Sequence, residues 1–374
     1  MKYYIIAGES SGDIHGAKLM AGIKKRDNDA QFRCWGGENM EKEGGVIVKH
    51  YKDLAFMGFA EVVMHLKTIV KNLKFCKEDI LQWQPDAVIL VDYPGFNMRI
   101  AEFAKQQNFK VYYYISPQVW AWKKKRIHKI HRSTDIAFVI LPFEKEFHAQ
   151  KGYHVEYTGH PMPDSMDLEK PFDIDAFRKF NGLSEKPIIA LLPGSRKHEL
   201  KRMLPVMADI QSKMPAYQLV VAGVHSLGKD FYTKFIKTPH IPVIFGQTHD
   251  ILRASRAAAV TSGTATLETG MLQTPQVVCY KMNWITAIIA LVLVKVKFIS
   301  LVNLILDRKA VEELIQHKCT SENIVKYLKP LAEDTPERHK MLEDYKELLE
   351  KVGKPGASDR AAEIMVNHLK ANTI

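Results

Sequence analysis

The chain has few cysteines, no long apolar run and a shortage of acidic charge, and each lack removes a class of function. Its four cysteines, Cys34, Cys76, Cys279 and Cys319, are scattered without a CxxC pair. That spacing excludes a disulfide framework and a cysteine zinc site, and it fits reduced, buried thiols in a cytoplasmic protein. The longest apolar stretch, Trp284 to Val294, is cut off by Lys295 and Lys297, well short of the ~20 residues that cross a bilayer. No export signal precedes Tyr3-Tyr4-Ile5-Ile6-Ala7, which reads as a first strand, so a soluble or peripheral protein is expected. Repeats and low-complexity tracts are absent. With 42 acidic against 53 basic residues, the net charge of +11 calls for an acidic partner: nucleic acid, an anionic membrane surface or a phosphorylated substrate. The positive residues are spread along the chain without an RNA-binding motif, which argues against nucleic acid.

What is present is the pattern of an α/β protein. A chain of 374 residues, 46% apolar and 25% charged, is expected to fold as two domains. Short β-rich runs alternate with amphipathic stretches, as in parallel sheets. The first series is Tyr3–Ala7, Phe32–Trp35, Ala87–Val91, Lys110–Ile115, Ile136–Ile140 and His154–Tyr157, with helices at Gly16–Lys25 and Asn97–Gln107. A charged, proline-bearing stretch then marks a linker. The second series is Ile188–Leu192, Gln218–Ala222, Val243–Phe245, Ala257–Thr261 and Gln276–Cys279. The predicted boundaries are a first domain at 1–163, a linker at 164–184, a second domain at 185–350 and a final helix at 351–374. The tail from Thr335 to Leu369 reads as wholly helical, with a last helix starting at Ser358-Asp359. It can cross back to the first domain or exchange between subunits of a homodimer. Two Rossmann-like domains facing each other across a cleft would bring both sets of strand C-termini together, where open parallel sheets bind ligands.

Several strand ends carry residues suited to chemistry. Leu191-Leu192-Pro193-Gly194-Ser195-Arg196 is a strand-to-turn-to-helix passage whose free N–H groups and helix dipole favour an anion. Arg196 adds a fork of donors suited to phosphate. Ser262-Gly263-Thr264-Ala265-Thr266-Leu267-Glu268 repeats the theme, and the pair suggests a nucleotide diphosphate, with Glu268 free for ribose hydroxyls. Two ordinary tight turns would show the same residues. Gly8-Glu9-Ser10-Ser11-Gly12-Asp13-Ile14-His15-Gly16 lacks GxGxxG, which counts against NAD or FAD. Its Glu9 and Asp13 suit sugar hydroxyls rather than phosphate. In Val91-Asp92-Tyr93-Pro94-Gly95-Phe96-Asn97, a carboxylate at a strand C-terminus is a candidate general base, or else a cap or turn residue. Trp120 and Trp122 precede Lys123-Lys124-Lys125-Arg126. They can anchor at a membrane interface, stack on bases or sit half-buried beside a solvated face.

Taken with Phe56-Met57-Gly58, Ser116-Pro117-Gln118-Val119-Trp120-Ala121-Trp122, Leu141-Pro142-Phe143-Glu144 and Gly159-His160-Pro161, these motifs closely resemble the lipid-A-disaccharide synthase family. Those enzymes are inverting glycosyltransferases of the GT-B fold class. The resemblance runs nearly end to end, with Ser300-Leu301-Val302-Asn303 where the family has Ser-Leu-Pro-Asn. It implies C-terminal helices packing back toward the N-terminal domain and transfer of 2,3-diacylglucosamine from its UDP conjugate to the 6-hydroxyl of 2,3-diacylglucosamine 1-phosphate (lipid X), without a cofactor. It implies catalytic roles for Asp92, Glu9 and Arg196. Substrate contacts are implied for Ser10, Ser11, Gly12, Asp13, Asn97, Pro117, Trp120 and His160 in the acceptor half. In the donor half they are implied for Gly194, Ser195, Ser262, Gly263, Thr264, Glu268 and Asn303. A UDP-sugar 2-epimerase on the same scaffold, or a transferase with another lipid-linked acceptor, is the nearest rival.

Both substrates in this reading carry acyl chains, which fits a peripheral docking on the anionic inner-membrane surface. Between Phe56 and Phe75 apolar residues interleave with Lys67, Lys71 and Lys74, as in an amphipathic helix with a basic flank, although a core-facing helix has the same pattern. Trp284 to Val294 is a second candidate surface or a buried helix. A metal is not expected. Asp173 and Asp175 form the one Asp-x-Asp, placed where acidic residues begin a helix.

Overall fold

The computed structural model describes residues 1–54, 66–120, 126–168, 170–236, 241–282 and 297–371. The chain divides into two compact units, one built from 1–167 with 352–374 and the other from 168–351. Each holds one open, wholly parallel sheet.

In the first unit the strands are β1 (Lys2–Ala7), β2 (Gln31–Gly36), β3 (Val46–His50), β4 (Ala87–Val91), β5 (Lys110–Tyr114), β6 (Ile136–Val139) and β7 (Glu156–Tyr157). Their order is β3-β2-β1-β4-β5-β6-β7. In the second they are β8 (Ile188–Leu192), β9 (Gln218–Gly223), β10 (Val243–Phe245), β11 (Ser255–Thr261), β12 (Gln276–Tyr280) and β13 (Glu312–Ile315). Their order is β10-β9-β8-β11-β12-β13. The central strands are continuous apolar runs because helices cover both faces. Every residue of β4 and β8 is buried. In both sheets the winding reverses between two central strands, β1 and β4 in one and β8 and β11 in the other. The crevice at the carboxyl ends of such a pair is where ligands of this architecture bind.

Several sequence readings need correction. The helix after β1 spans Ser10–Lys24, so the stretch read as a loop up to Gly16 is mostly its first two turns. Two edge strands, β3 and β13, were not legible. The tail is not helical throughout: it is two helices, Pro336–Val352 and Ala357–Ala371, the second starting one residue before the expected Ser358. Gly353 and Gly356, at φ 87° and 103°, break it around Pro355. The last helix packs on Ser10–Lys24 within the first unit. Gly22 approaches it so closely that a Cβ there would lie 2.9 Å from that of Ala362. Arg26 forks onto Asp359 at 2.9 and 3.1 Å. Asp164 caps the helix, accepting from the N–H groups of Gly356, Ala357 and Ser358 at 2.6–3.2 Å.

Candidate active site

At the crossover of the first sheet, β1 runs out into Gly8-Glu9 and β4 into Asp92-Tyr93. Asp92 and Tyr93 both adopt left-handed backbone, φ 46° and 51°, before Pro94 opens the helix Pro94–Gln106. The Tyr93 ring lies flat over Gly8, where a Cβ would come within 2.3 Å of it. This close approach requires glycine and keeps Glu9 beside Asp92. The Asp92 carbonyl accepts from Asn97 Nδ2 at 2.7 Å and from the Tyr113 hydroxyl at 2.9 Å. Burial first, and the charge of Glu9 second, push the Asp92 carboxyl up to about 6. A carboxyl poised there is ionised at neutral pH yet basic enough to take a proton, the property wanted in a general base.

At the crossover of the second sheet, β8 leads into Pro193-Gly194-Ser195-Arg196 and β11 into Ser262-Gly263-Thr264. The first of these turns is already occupied by an internal carboxylate. Glu199, three residues into the helix, accepts from the N–H of Ser195 at 3.1 Å and of Arg196 at 3.3 Å. Its other oxygen meets Arg196 Nη1 at 3.3 Å. Gly194 makes room for it, since a Cβ there would sit 2.5 Å from Glu199 Oε2. The second turn is open. Gly263 and Thr264 are exposed, nothing lies within 4 Å of where a Gly263 Cβ would stand, and the helix Thr264–Met271 starts there. A helix leaves its first N–H groups without internal partners. Ser262 donates its hydroxyl to Ile299 O at 2.9 Å, and Glu268, one turn along, faces His249 at 3.5 Å.

The sequence profile of the lipid-A-disaccharide synthetase family matches residues 3–367. The lipid-A-disaccharide synthase of Syntrophus aciditrophicus is 36% identical over 373 residues, covering 98% of this chain and 97% of that protein. That of Myxococcus xanthus is 36% identical over 372 residues with the same coverage. The chain belongs to this family. Among solved structures, the UDP-GlcNAc 2-epimerase of Neisseria meningitidis bound to UDP-GlcNAc superposes with a TM-score of 0.68 at 12% identity, over 98% of this chain and 100% of that one. A calicheamicin glycosyltransferase gives 0.59 at 13%, over 100% and 99%. These two likenesses show the shared fold alone.

Within this synthase family member, the structure separates site residues that face solvent from those used up internally. Glu9, Ser10, Ser11, Asp92, Gly194, Ser195, Arg196, Ser262, Gly263, Thr264 and Glu268 stand at the two crossovers. Pro117 and Trp120 are half-buried past β5, the indole held by Glu144 at 3.1 Å. Five of the residues with implied substrate contacts also hold the fold together. Asp13 is fully buried, its two oxygens taken by the N–H groups of Gly37, Asn39 and Met40 and the Asn39 amide. Gly12 packs against Ala7 of β1. Asn97 is fully buried and spends its amide on the carbonyls of Ile6, Val91 and Asp92. His160, 4% exposed, accepts from Met162 N. Asn303 fills all four hydrogen-bonding positions with Ala310, Val311 and Glu313. Ser195 loses its backbone N–H to Glu199. Asp173 is a helix cap, accepting from the N–H groups of Asp175 and Ala176, and among the described residues no cluster has metal-holding geometry. Trp122, Phe56-Met57-Gly58 and Trp284 to Val294 lie outside the described residues.

Sequence reasoning passed over Glu199, Tyr113 and Tyr280. Glu199 carried a signal, for a carboxylate three residues past a turn is the far half of a capping box. Tyr280, at the end of β12, lies within the field of Glu199 and Arg196, although burial is the larger cause of its raised pKa. Tyr113 sits in a run of three strand tyrosines and has no sequence signature.

Proposed function

We propose that this chain condenses UDP-2,3-diacylglucosamine with lipid X, giving the β-1,6-linked disaccharide 1-phosphate and UDP. One observation carries the reading. In both sheets the motif-bearing turns sit on the two strands that flank the crossover, with a base-like carboxyl in the first unit and an open helix N-terminus at Gly263-Thr264 in the second.

The acceptor 6-hydroxyl attacks the anomeric carbon as its proton passes to the Asp92 carboxylate. A new C–O bond forms, the bond from the anomeric carbon to the diphosphate oxygen breaks, and its electron pair leaves with UDP. The configuration inverts in this single displacement. Glu9, lying beside Asp92, keeps that carboxyl basic. Because Glu199 fills the Ser195 turn, the diphosphate is received by the open helix N-terminus at Gly263-Thr264 with Arg196 reaching in from the side. Charge developing on the leaving group is thereby stabilised without a metal. Glu268 holds the ribose. The helix Leu66–Trp83, with Val70 and Phe75 59% and 43% exposed among Lys67, Lys71 and Lys74, supports docking on an anionic bilayer that supplies the acylated substrates. No described helix is long and apolar enough to cross a membrane.

A positioned base contributes about 10²–10⁴-fold to rate. Asp92→Asn is expected to lose at least 100-fold in turnover, read by mass spectrometry of the disaccharide, with UDP affinity unchanged. Arg196→Ala is expected to weaken UDP about tenfold or more by calorimetry, the loss of a charge-assisted contact. Asp92→Asn with more than a tenth of normal turnover would remove it as the base. The same assay run without lipid X separates this activity from epimerisation of the donor.

A further inference from the structure

We propose that Tyr113 and Asn97 are positioning residues, a latch on the Asp92 backbone carbonyl that fixes the carboxylate at the crossover of the first sheet. The inference rests on Asp92 being the base and adds the device that holds it.

Two successive left-handed residues with side chains are costly, and such a pair persists only where its surroundings over-determine it. Three constraints do so here. Asn97 Nδ2 reaches the Asp92 carbonyl at 2.7 Å and, at 3.3 Å each, those of Val91 and Ile6, so one amide ties the ends of β4 and β1 to the turn. Tyr113, fully buried on β5, donates to the same Asp92 carbonyl from the neighbouring strand at 2.9 Å. It is the odd member of its run. Tyr112 and Tyr114 point to the opposite face of the sheet, where their hydroxyls meet His368 and Ser358 of the last helix. From the remaining side, the Tyr93 ring is pressed on Gly8 and stacks on Phe96 with centroids 5.6 Å apart.

With its carbonyl held from below, the Asp92 side chain has little freedom to swing into water. The titratable and charged groups around it are Glu9, Tyr93 and Tyr113, and the charge of Arg126 is felt at the Tyr113 hydroxyl. Releasing the latch lets the carboxylate hydrate. Its proton affinity then falls from about 6 toward the ordinary carboxylate value of about 4, and the base leaves its place.

The test is a cycle of Tyr113→Phe, Asp92→Asn and the double variant, assayed for disaccharide formation from pH 5 to 8. Tyr113→Phe is expected to lower kcat about tenfold with KM within about twofold, because a small misplacement of a reacting group is expensive in rate. The acid limb of kcat/KM should move down by about one pH unit. Added to Asp92→Asn, the same change should cost less than about twofold, since it acts through Asp92. An equal loss in both backgrounds, or an unmoved acid limb, overturns the latch and leaves the base assignment standing. Turnover retained by Asp92→Asn overturns the base assignment instead. Should Tyr113→Phe not fold, Asn97→Ser, too short to span three carbonyls, is read for the same two changes.

Discussion

At the scale of single residues, the sharpest lesson is Glu199. A glycine-bearing turn before a helix is read from sequence as an anion site, yet the chain supplies its own anion. The Glu199 carboxylate lies on two N–H groups and on the Arg196 guanidinium, and both the turn and the arginine are partly neutralised before any diphosphate arrives. Glu199→Gln keeps an acceptor for the turn and deletes the charge. UDP should then bind about fivefold tighter, from removal of about 1 kcal/mol of repulsion at a partly exposed site. Calorimetric titration checks the sign, and weaker binding would show that the carboxylate serves Arg196 rather than opposing the ligand. The same reasoning explains which site residues were legible. Asp92, Glu9 and Arg196 announce themselves by charge at a strand end. Asp13 and Asn303 share those motifs, but a one-dimensional pattern does not reveal that their hydrogen-bonding positions are filled within the fold. Only the hydrogen-bond partners separate a residue that touches ligand from one that builds the turn.

At the scale of elements, what was legible follows burial. β1, β4, β5, β8 and β11 are covered on both faces and appear as apolar runs. The two strands that escaped notice are edges. β3 (VIVKH) and β13 (EELI) have one side unpaired, so their sequences carry charge, as edges that resist aggregation do. The Ser10–Lys24 helix began earlier than expected because Ser10, Ser11 and Gly12 lack apolar periodicity. Leu66–Trp83 is ambiguous in sequence and resolved only by its two sides. Cys76, Asp79 and Ile80 are buried, and Val70 and Phe75 are exposed among lysines. If that outer side docks on lipid, Lys67→Glu, Lys71→Glu and Lys74→Glu together replace three attractions with three repulsions, each near 1 kcal/mol at an anionic surface. Co-sedimentation with vesicles containing anionic lipid should fall at least tenfold, with unchanged turnover on detergent-dispersed substrates. Undiminished co-sedimentation would place the docking surface elsewhere.

At the scale of the whole molecule, the two units are built alike but are not expected to respond alike to acid. Among the described residues, burial lowers the proton affinity of five histidines, and these five belong to the first unit. His15 and His131 are pushed down to about 4, His160 to about 3, and His148 and His368 also lie below their ordinary value. A histidine held neutral in the fold but free to charge when unfolded stabilises the protein fully above about 6.5. That contribution is lost as pH falls toward the folded value. One held near 4 forfeits about 2 kcal/mol by pH 5. Two carboxyls of the same unit act oppositely. Burial raises Glu144 to about 7 and Asp92 to about 6, so each favours the fold more as pH drops through those values. The histidines outweigh the two carboxyls, so the first unit is expected to lose stability between pH 7.5 and 5, before carboxylates at their ordinary values begin to protonate. Hydrogen exchange, corrected for intrinsic rates, should show protection of β1 and β5 falling across this range while β8 and β11 change little. Equal losses in both units would mean that the buried histidines do not set the acid response. A first unit that gains protection would mean that Glu144 and Asp92 outweigh them.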